Sequence, residues 1–127
     1  MKLPSEITNW LEYKYESDCS SIYNSSTVIH EYKKQTGGMV IYAGISLSIS
    51  PSKCFELLLP DLDIEESYYL GVKDGIISSL FVINEKPLLN IKISVTDMKT
   101  TFDGSSYFAF YNVAREAMVK ANDQLYT

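Results

Sequence analysis

The sequence predicts an α+β domain in which two helices cover one face of a mixed four-stranded sheet. Three observations predict it. Ile45, Leu47 and Ile49 alternate with Ser46, Ser48 and Ser50, and Ile91, Ile93 and Val95 alternate with Lys92, Ser94 and Thr96. That period of two belongs to strands with one buried face. Tyr69, Val72, Ile76 and Leu80 recur at helical spacing with Ile77 beside them, and Tyr107, Phe110, Tyr111, Ala114, Met118 and Ala121 form a second helical stripe.

Taken in order, the chain opens with a weak pattern: a short helix after Pro4, a strand around Leu11–Glu16, and a Ser-, Asn- and Asp-rich loop. β-Branched and aromatic residues then mark a strand over Thr27–Gln35. The Gly37-Gly38 turn leads into the alternating strand that ends at Pro51. "SKCFELLLPDLDIEE" reads as a loop or short extended piece broken by Pro60. Asp63 as N-cap and Glu66 three residues later make a capping box for the first helix. Gly75 inside that helix costs about 1 kcal/mol relative to Ala and so predicts close packing. "LLNIKISVTD" is the last strand, "MKTTFDGSS" a second loop, and the second helix starts near Ser105 or Ser106.

The length of 127 residues suits one domain, and 46% hydrophobic with 21% charged residues is the balance of an ordinary globular chain. No signal-peptide core and no stretch near membrane-spanning length occurs. Cys19 and Cys54 belong to no C-x-x-C pair, so free thiols in the cytoplasm are the expectation. A formal charge of -5 argues against a domain that binds nucleic acid through a globally basic surface, and any RNA contact must be local.

No catalytic constellation is legible. His30, the single histidine, falls inside a strand without an Asp or Cys partner in the sequence pattern, and no P-loop, H-E-x-x-H or G-x-S-x-G motif occurs. Asp61, Asp63, Glu65 and Glu66 gather where a helix dipole favours carboxylates, which explains them better than a metal site. Asp97 and Asp103 read as turn residues. Met39, Val40 and Ile41, just after the glycines, read as a buried strand start, with an exposed apolar tip as the alternative. No enzyme activity, metal or cofactor is expected of this segment.

"KKQTGGMVIYAGISLSISP", Lys33 to Pro51, resembles the hairpin that opens domain IV of elongation factor G and of the tetracycline ribosomal-protection proteins. Gln35-Thr36-Gly37-Gly38, Tyr42 and Pro51 stand in register with that family's Gln-Thr-Gly-Gly, Tyr and Pro. "YYLGVKDGI" is similar to its first helix, "NIKISVTD" to its later strand, and "SSYFAFYNVAREAMVKAN" to its Ser-Ser-Glu-Met-Ala-Phe helix. Residues 1–26 are poorly matched, and Met39-Val40-Ile41 stands where the family usually has Arg-Gly-Gln.

The resemblance implies the ribosomal-protein S5 domain 2-like fold with its left-handed βαβ crossover, residues 1–127 forming one domain. It implies that Gly37–Gly44 and Met98–Gly104 lie together at one end. That end would contact the small ribosomal subunit near the 16S rRNA decoding region, during translocation or drug displacement. Its contact residues would be Lys33, Lys34, Gln35, Thr36, Gly37, Gly38 and Met39 in the first loop, and Lys99, Thr100, Thr101 and Phe102 in the second. The lysines would give it local positive charge. GTP and magnesium would belong only to a parent protein's GTPase domain, other domains of which are further partners; membrane and DNA are not. A stand-alone, non-enzymatic protein-interaction module that kept the fold is the alternative.

Overall fold

The computed structural model describes residues 25–80 and 90–126. The elements run β1 (Ser26–Thr36), β2 (Met39–Pro51), β3 (Glu56–Leu58), α1 (Glu66–Ser79), β4 (Ile91–Lys99) and α2 (Tyr107–Tyr126). The sheet order is β1-β2-β4-β3. β2 pairs antiparallel with both β1 and β4, whereas β3 lies parallel to β4. The result is an α+β domain with a mixed four-stranded sheet and two helices, as the alternation and stripes require. Leu11–Glu16 lies outside the described residues, and Glu56–Leu58, read from sequence as loop or short extended piece, supplies the parallel edge.

The alternating rows land as predicted. Ala43, Ile45, Leu47 and Ile49 of β2 and Ile91, Ile93 and Val95 of β4 are buried, and they meet Val72, Ile76 and Leu80 of α1 and Phe110, Val113, Ala114, Ala117 and Met118 of α2. A bulge interrupts β4. Ser46 pairs with Asp97 and Leu47 with Val95, so Thr96 is the extra residue, its hydroxyl donating to the Ser46 carbonyl at 3.3 Å. The extra residue shifts the alternation by one. Met98 is therefore buried, and Asp97 and Lys99, whose odd numbers would otherwise aim them at the core, face outward. Asp97 thus belongs to the strand rather than to a turn.

α1 begins two residues later than the capping-box pattern places it. Its N-cap is Glu65, without a side-chain capping bond. Asp63 is displaced because the preceding backbone is tied into a tight turn: Ile64 N–H donates to the Leu62 carbonyl at 3.0 Å, and the Tyr69 hydroxyl bonds both Leu62 N–H (2.8 Å) and Leu62 C=O (2.9 Å). For α2, Ser106 is the capping residue, its Oγ accepting from Ala109 N–H at 3.1 Å.

Gly75 is where sequence predicted close packing, and Gly71 joins it. A Cβ on Gly71 would stand 2.5 Å from the Tyr107 carbonyl, and one on Gly75 2.5 Å from the Tyr111 carbonyl and 3.0 Å from Ala114 Cβ. The two helices touch backbone to backbone along this line. Tyr107 crosses the same seam, donating from its hydroxyl to Asp74 Oδ2 at 2.6 Å. That hydrogen bond, followed by burial and the nearby negative charge, pushes the Tyr107 phenol up to about 12.

Two outcomes follow for stability. Gly75→Ala should destabilise the domain by about 1–3 kcal/mol in urea unfolding despite its better helix propensity, since overpacking against backbone outweighs that gain. Unchanged or greater stability would mean that the helices separate freely. Tyr107 is protonated in the fold up to about 12 but only to about 10 when unfolded, so its stabilisation is whole below pH 10 and is lost as pH climbs from 10 to 12. The stability difference between wild type and Tyr107→Phe, measured across that window, should shrink; a constant difference would contradict the assignment.

Candidate functional site

β1 and β2 pair without interruption from Ser26 opposite Ile49 to Thr36 opposite Met39. The turn between them therefore holds two residues. Gly37 has φ +62° and Gly38 does not share the positive sign, the pattern of a type II′ turn, which wants glycine at its first central position. Gly37-Gly38 is thus a hairpin turn, and it forms one half of a larger tip.

The second half comes from residues 100–106. β4 ends with Lys99 opposite Gly44, so β2 runs on past it. The chain then doubles back beside Tyr42, whose N–H donates to the Gly104 carbonyl at 2.9 Å and whose carbonyl accepts from Ser105 Oγ at 3.0 Å. Ser105 Oγ also accepts from Thr101 N–H at 2.8 Å, and Thr101 Oγ1 accepts from Gly104 N–H at 3.1 Å. From the helix side, the Tyr68 hydroxyl donates to the Ser105 carbonyl at 3.4 Å, and the Tyr68 ring packs 5.0 Å from Phe110. Burial first, and Glu65 second, raise the Tyr68 pKa.

The two loops meet at a cleft of about 320 Å³ lined by Gly38, Met39, Val40, Thr101, Asp103 and Gly104. A second cleft, about 480 Å³, opens on the other side of residues 100–102, where Thr100, Thr101 and Phe102 face Asp63, Ile64, Glu65 and Tyr68. Gly38, Met39 and Thr101 are therefore brought together, while Thr100 and Phe102 turn toward α1. Lys33, Lys34, Gln35 and Thr36 stand along the hairpin opposite Tyr42, Ile41, Val40 and Met39, and Lys33, Lys34 and Gln35 line neither cleft.

The apolar residues at the turn are not a buried strand start. Met39 is 67% exposed and Val40 40%, only Ile41 packs against the core, and Phe102 is fully exposed. By the alternation of β2, Met39 shares the face of Ile41 and Ala43 at its exposed end, and Val40 lies on the opposite face.

On the open sheet face, Gly44 makes room for its neighbours: a Cβ there would lie 3.0 Å from Lys99 Cβ and 3.1 Å from the Tyr42 hydroxyl. Burial, then the Glu31 charge and its hydrogen bond, raise the Tyr42 pKa. Lys33, Lys34 and Lys99 are exposed, and so are Glu31, Asp97 and Asp103, so among the described residues the three lysines have as many exposed carboxylates on the same elements and loop.

Away from the tip, His30 Nε2 lies 3.0 Å from Glu116 Oε1, joining β1 to α2 beside a groove of about 450 Å³. Among the described residues no group of three or more His, Cys, Asp or Glu is placed to hold a metal, and no helix is long and apolar enough to cross a membrane. Cys54 is an exposed free thiol. The expected ranges Gly37–Gly44 and Met98–Gly104 take in Val40, Asp103 and Gly104 without naming them as contact residues, and they stop short of Ser105. The signal there, "DGSS" after a strand, reads as a loop until the partner strand is known.

No protein-family model matches the chain. It is similar to a protein of solved crystal structure from Thermus thermophilus, with a TM-score of 0.70 and 26% identity over 82% of this chain. The match takes in 16% of the Thermus chain, so this chain spans well under a fifth of that protein's length.

Because Met39 and Phe102 are solvated, Met39→Ala and Phe102→Ala should each leave unfolding stability within about 0.5 kcal/mol of wild type. A loss of about 2 kcal/mol, of the size seen for core truncation, would show that these side chains pack in solution.

Proposed function

We propose that this chain is a ribosome-binding domain of the domain IV type, from an elongation factor G-like or tetracycline ribosomal-protection-like translation factor. It works in the cytoplasm by contact and steric insertion, not catalysis, with its tip near the small-subunit decoding region. The observation that carries the reading is the clasp between Tyr42 and Gly104–Ser105, which unites the Gln35-Thr36-Gly37-Gly38 hairpin with the loop before the "SSYFAF" helix. The domain IV pattern in the sequence calls for those two loops at one end.

Within the same proposal, the fold is ribosomal-protein S5 domain 2-like, and the β3-α1-β4 connection is the left-handed crossover of that class. Parallel strands of one sheet are joined right-handedly in nearly all other cases. GTP and magnesium belong to a separate domain of a parent protein. Similarity to one segment of a much longer Thermus chain supports the reading as one domain among several.

Lys33, Lys34 and Lys99 are the groups able to meet phosphates. Replacing all three by Glu should weaken co-sedimentation with purified small subunits and lower the slope of log K against log salt by about 2–3, at roughly 0.7–0.9 per phosphate contact. Unchanged binding by the triple variant would remove the electrostatic part of the proposal.

The exposed Met39, Val40 and Phe102 favour the second reading, a protein-interaction module. Failure of the wild-type chain to sediment with subunits at low salt would select it.

A further inference from the structure

We propose that Ser105 is the positioning residue that makes the two tip loops a single binding surface. The inference rests on the ribosome-binding reading for its partner, but its geometry stands independently. "GSS" divides two tasks between adjacent serines. Ser106 caps α2. Ser105 faces the other way, and its one hydroxyl serves two strangers at once: it donates to the Tyr42 carbonyl at 3.0 Å and accepts from Thr101 N–H at 2.8 Å. The first bond reaches across 63 residues of chain to the hairpin strand; the second closes the loop on itself.

The consequence is specific. Thr101 lines both clefts, and Phe102 follows it. With Thr101 N–H held by Ser105, and Ser105 held to β2, the backbone that carries Phe102 is tied to the strand that carries Met39 and Val40. Fully exposed side chains have no packing of their own to position them, so the loop backbone must do it. Preorganisation of this kind lowers the ordering cost of binding. No other side chain among the described residues bonds Tyr42 and the second loop together in this way.

The test compares the full chain with Ser105→Ala and Ser105→Thr. Tyr42 N–H is the reporter, because its own acceptor is Gly104 and the alanine variant deletes no atom of that bond. In Ser105→Ala, amide exchange at Tyr42 and Thr101 should accelerate about fivefold to tenfold, the worth of roughly one hydrogen bond, while core amides keep their protection. Ser105→Thr, which retains the hydroxyl, should restore wild-type exchange.

On small subunits, Met39→Ala and Phe102→Ala should be non-additive by at least about threefold in the wild-type background and additive in Ser105→Ala. The salt slope should stay unchanged in Ser105→Ala, since no charge is lost. A Tyr42 amide that exchanges at the wild-type rate in Ser105→Ala overturns the proposal, as does coupling that persists without the hydroxyl. Absence of wild-type binding would defeat the ribosomal reading instead, and the exchange rates would still decide for or against Ser105.

Discussion

The tip depends on one mismatch of length: β2 is longer than β4. Where β4 ends at Lys99, β2 still has an edge toward that side, and backbone N–H and C=O groups on a strand edge require partners. Residues 104 and 105 supply them at Tyr42. The loop is therefore not a passive connection whose position follows from its ends. Backbone satisfaction pulls it onto the hairpin, and everything at that end, including both clefts, follows from that pull.

The layer beneath holds the arrangement in place. Gly71 and Gly75 let α1 approach α2 to backbone contact, and this brings Tyr68 over Phe110 and its hydroxyl to the Ser105 carbonyl. Had either glycine carried a side chain, α1 would stand farther out and the helix side of the loop would lose that support. The Thr96 bulge acts from the sheet side. By turning Asp97 and Lys99 outward it keeps two charges out of the core and lays the Lys99 stem across Gly44, beside Tyr42. Core packing and tip geometry are thus connected through three small irregularities rather than through the regular elements.

Those irregularities mark the limit of what the sequence disclosed. The rows of β2 and β4 and the stripes of both helices were legible because burial imposes a period on each run of apolar residues. Gly75 was legible as a cost that needed a reason. β3 was not, since so short a strand carries no period, and it is a strand only because β4 lies beside it. The bulge left no local mark: "ISVTDMK" reads as alternation until the partner shows that Ser46 and Leu47 skip Thr96. Asp63 had the better capping chemistry, yet Tyr69 fixed the turn at Leu62 and moved the helix start to Glu65. Each miss is a case of a distant contact overriding a local preference. The tip itself was half legible, because the glycine turn is local and the clasp spans the chain.

Charge decides what kind of contact such a tip can make. Among the described residues, Lys33, Lys34 and Lys99 are matched in number by exposed Glu31, Asp97 and Asp103, and at physiological salt, with a screening length of about 8 Å, these six contribute little net field beyond the surface. A partner gains little from steering and must be recognised at contact range. What the tip offers at that range is unusual for a polar turn: exposed Met39 and Val40 line one cleft, and exposed Phe102 lines the cleft on the other side of the second loop. Burying such groups is favourable by roughly 25 cal/mol per Å² of apolar surface and does not weaken with salt. Under the ribosomal reading, affinity then divides into a lysine-dependent part that salt removes and an apolar part that salt leaves standing. The apolar part is useful only while the two loops keep their spacing. Solvated side chains cannot hold that spacing, which is why the hydroxyl beneath them matters more to recognition than its exposure to a partner would suggest.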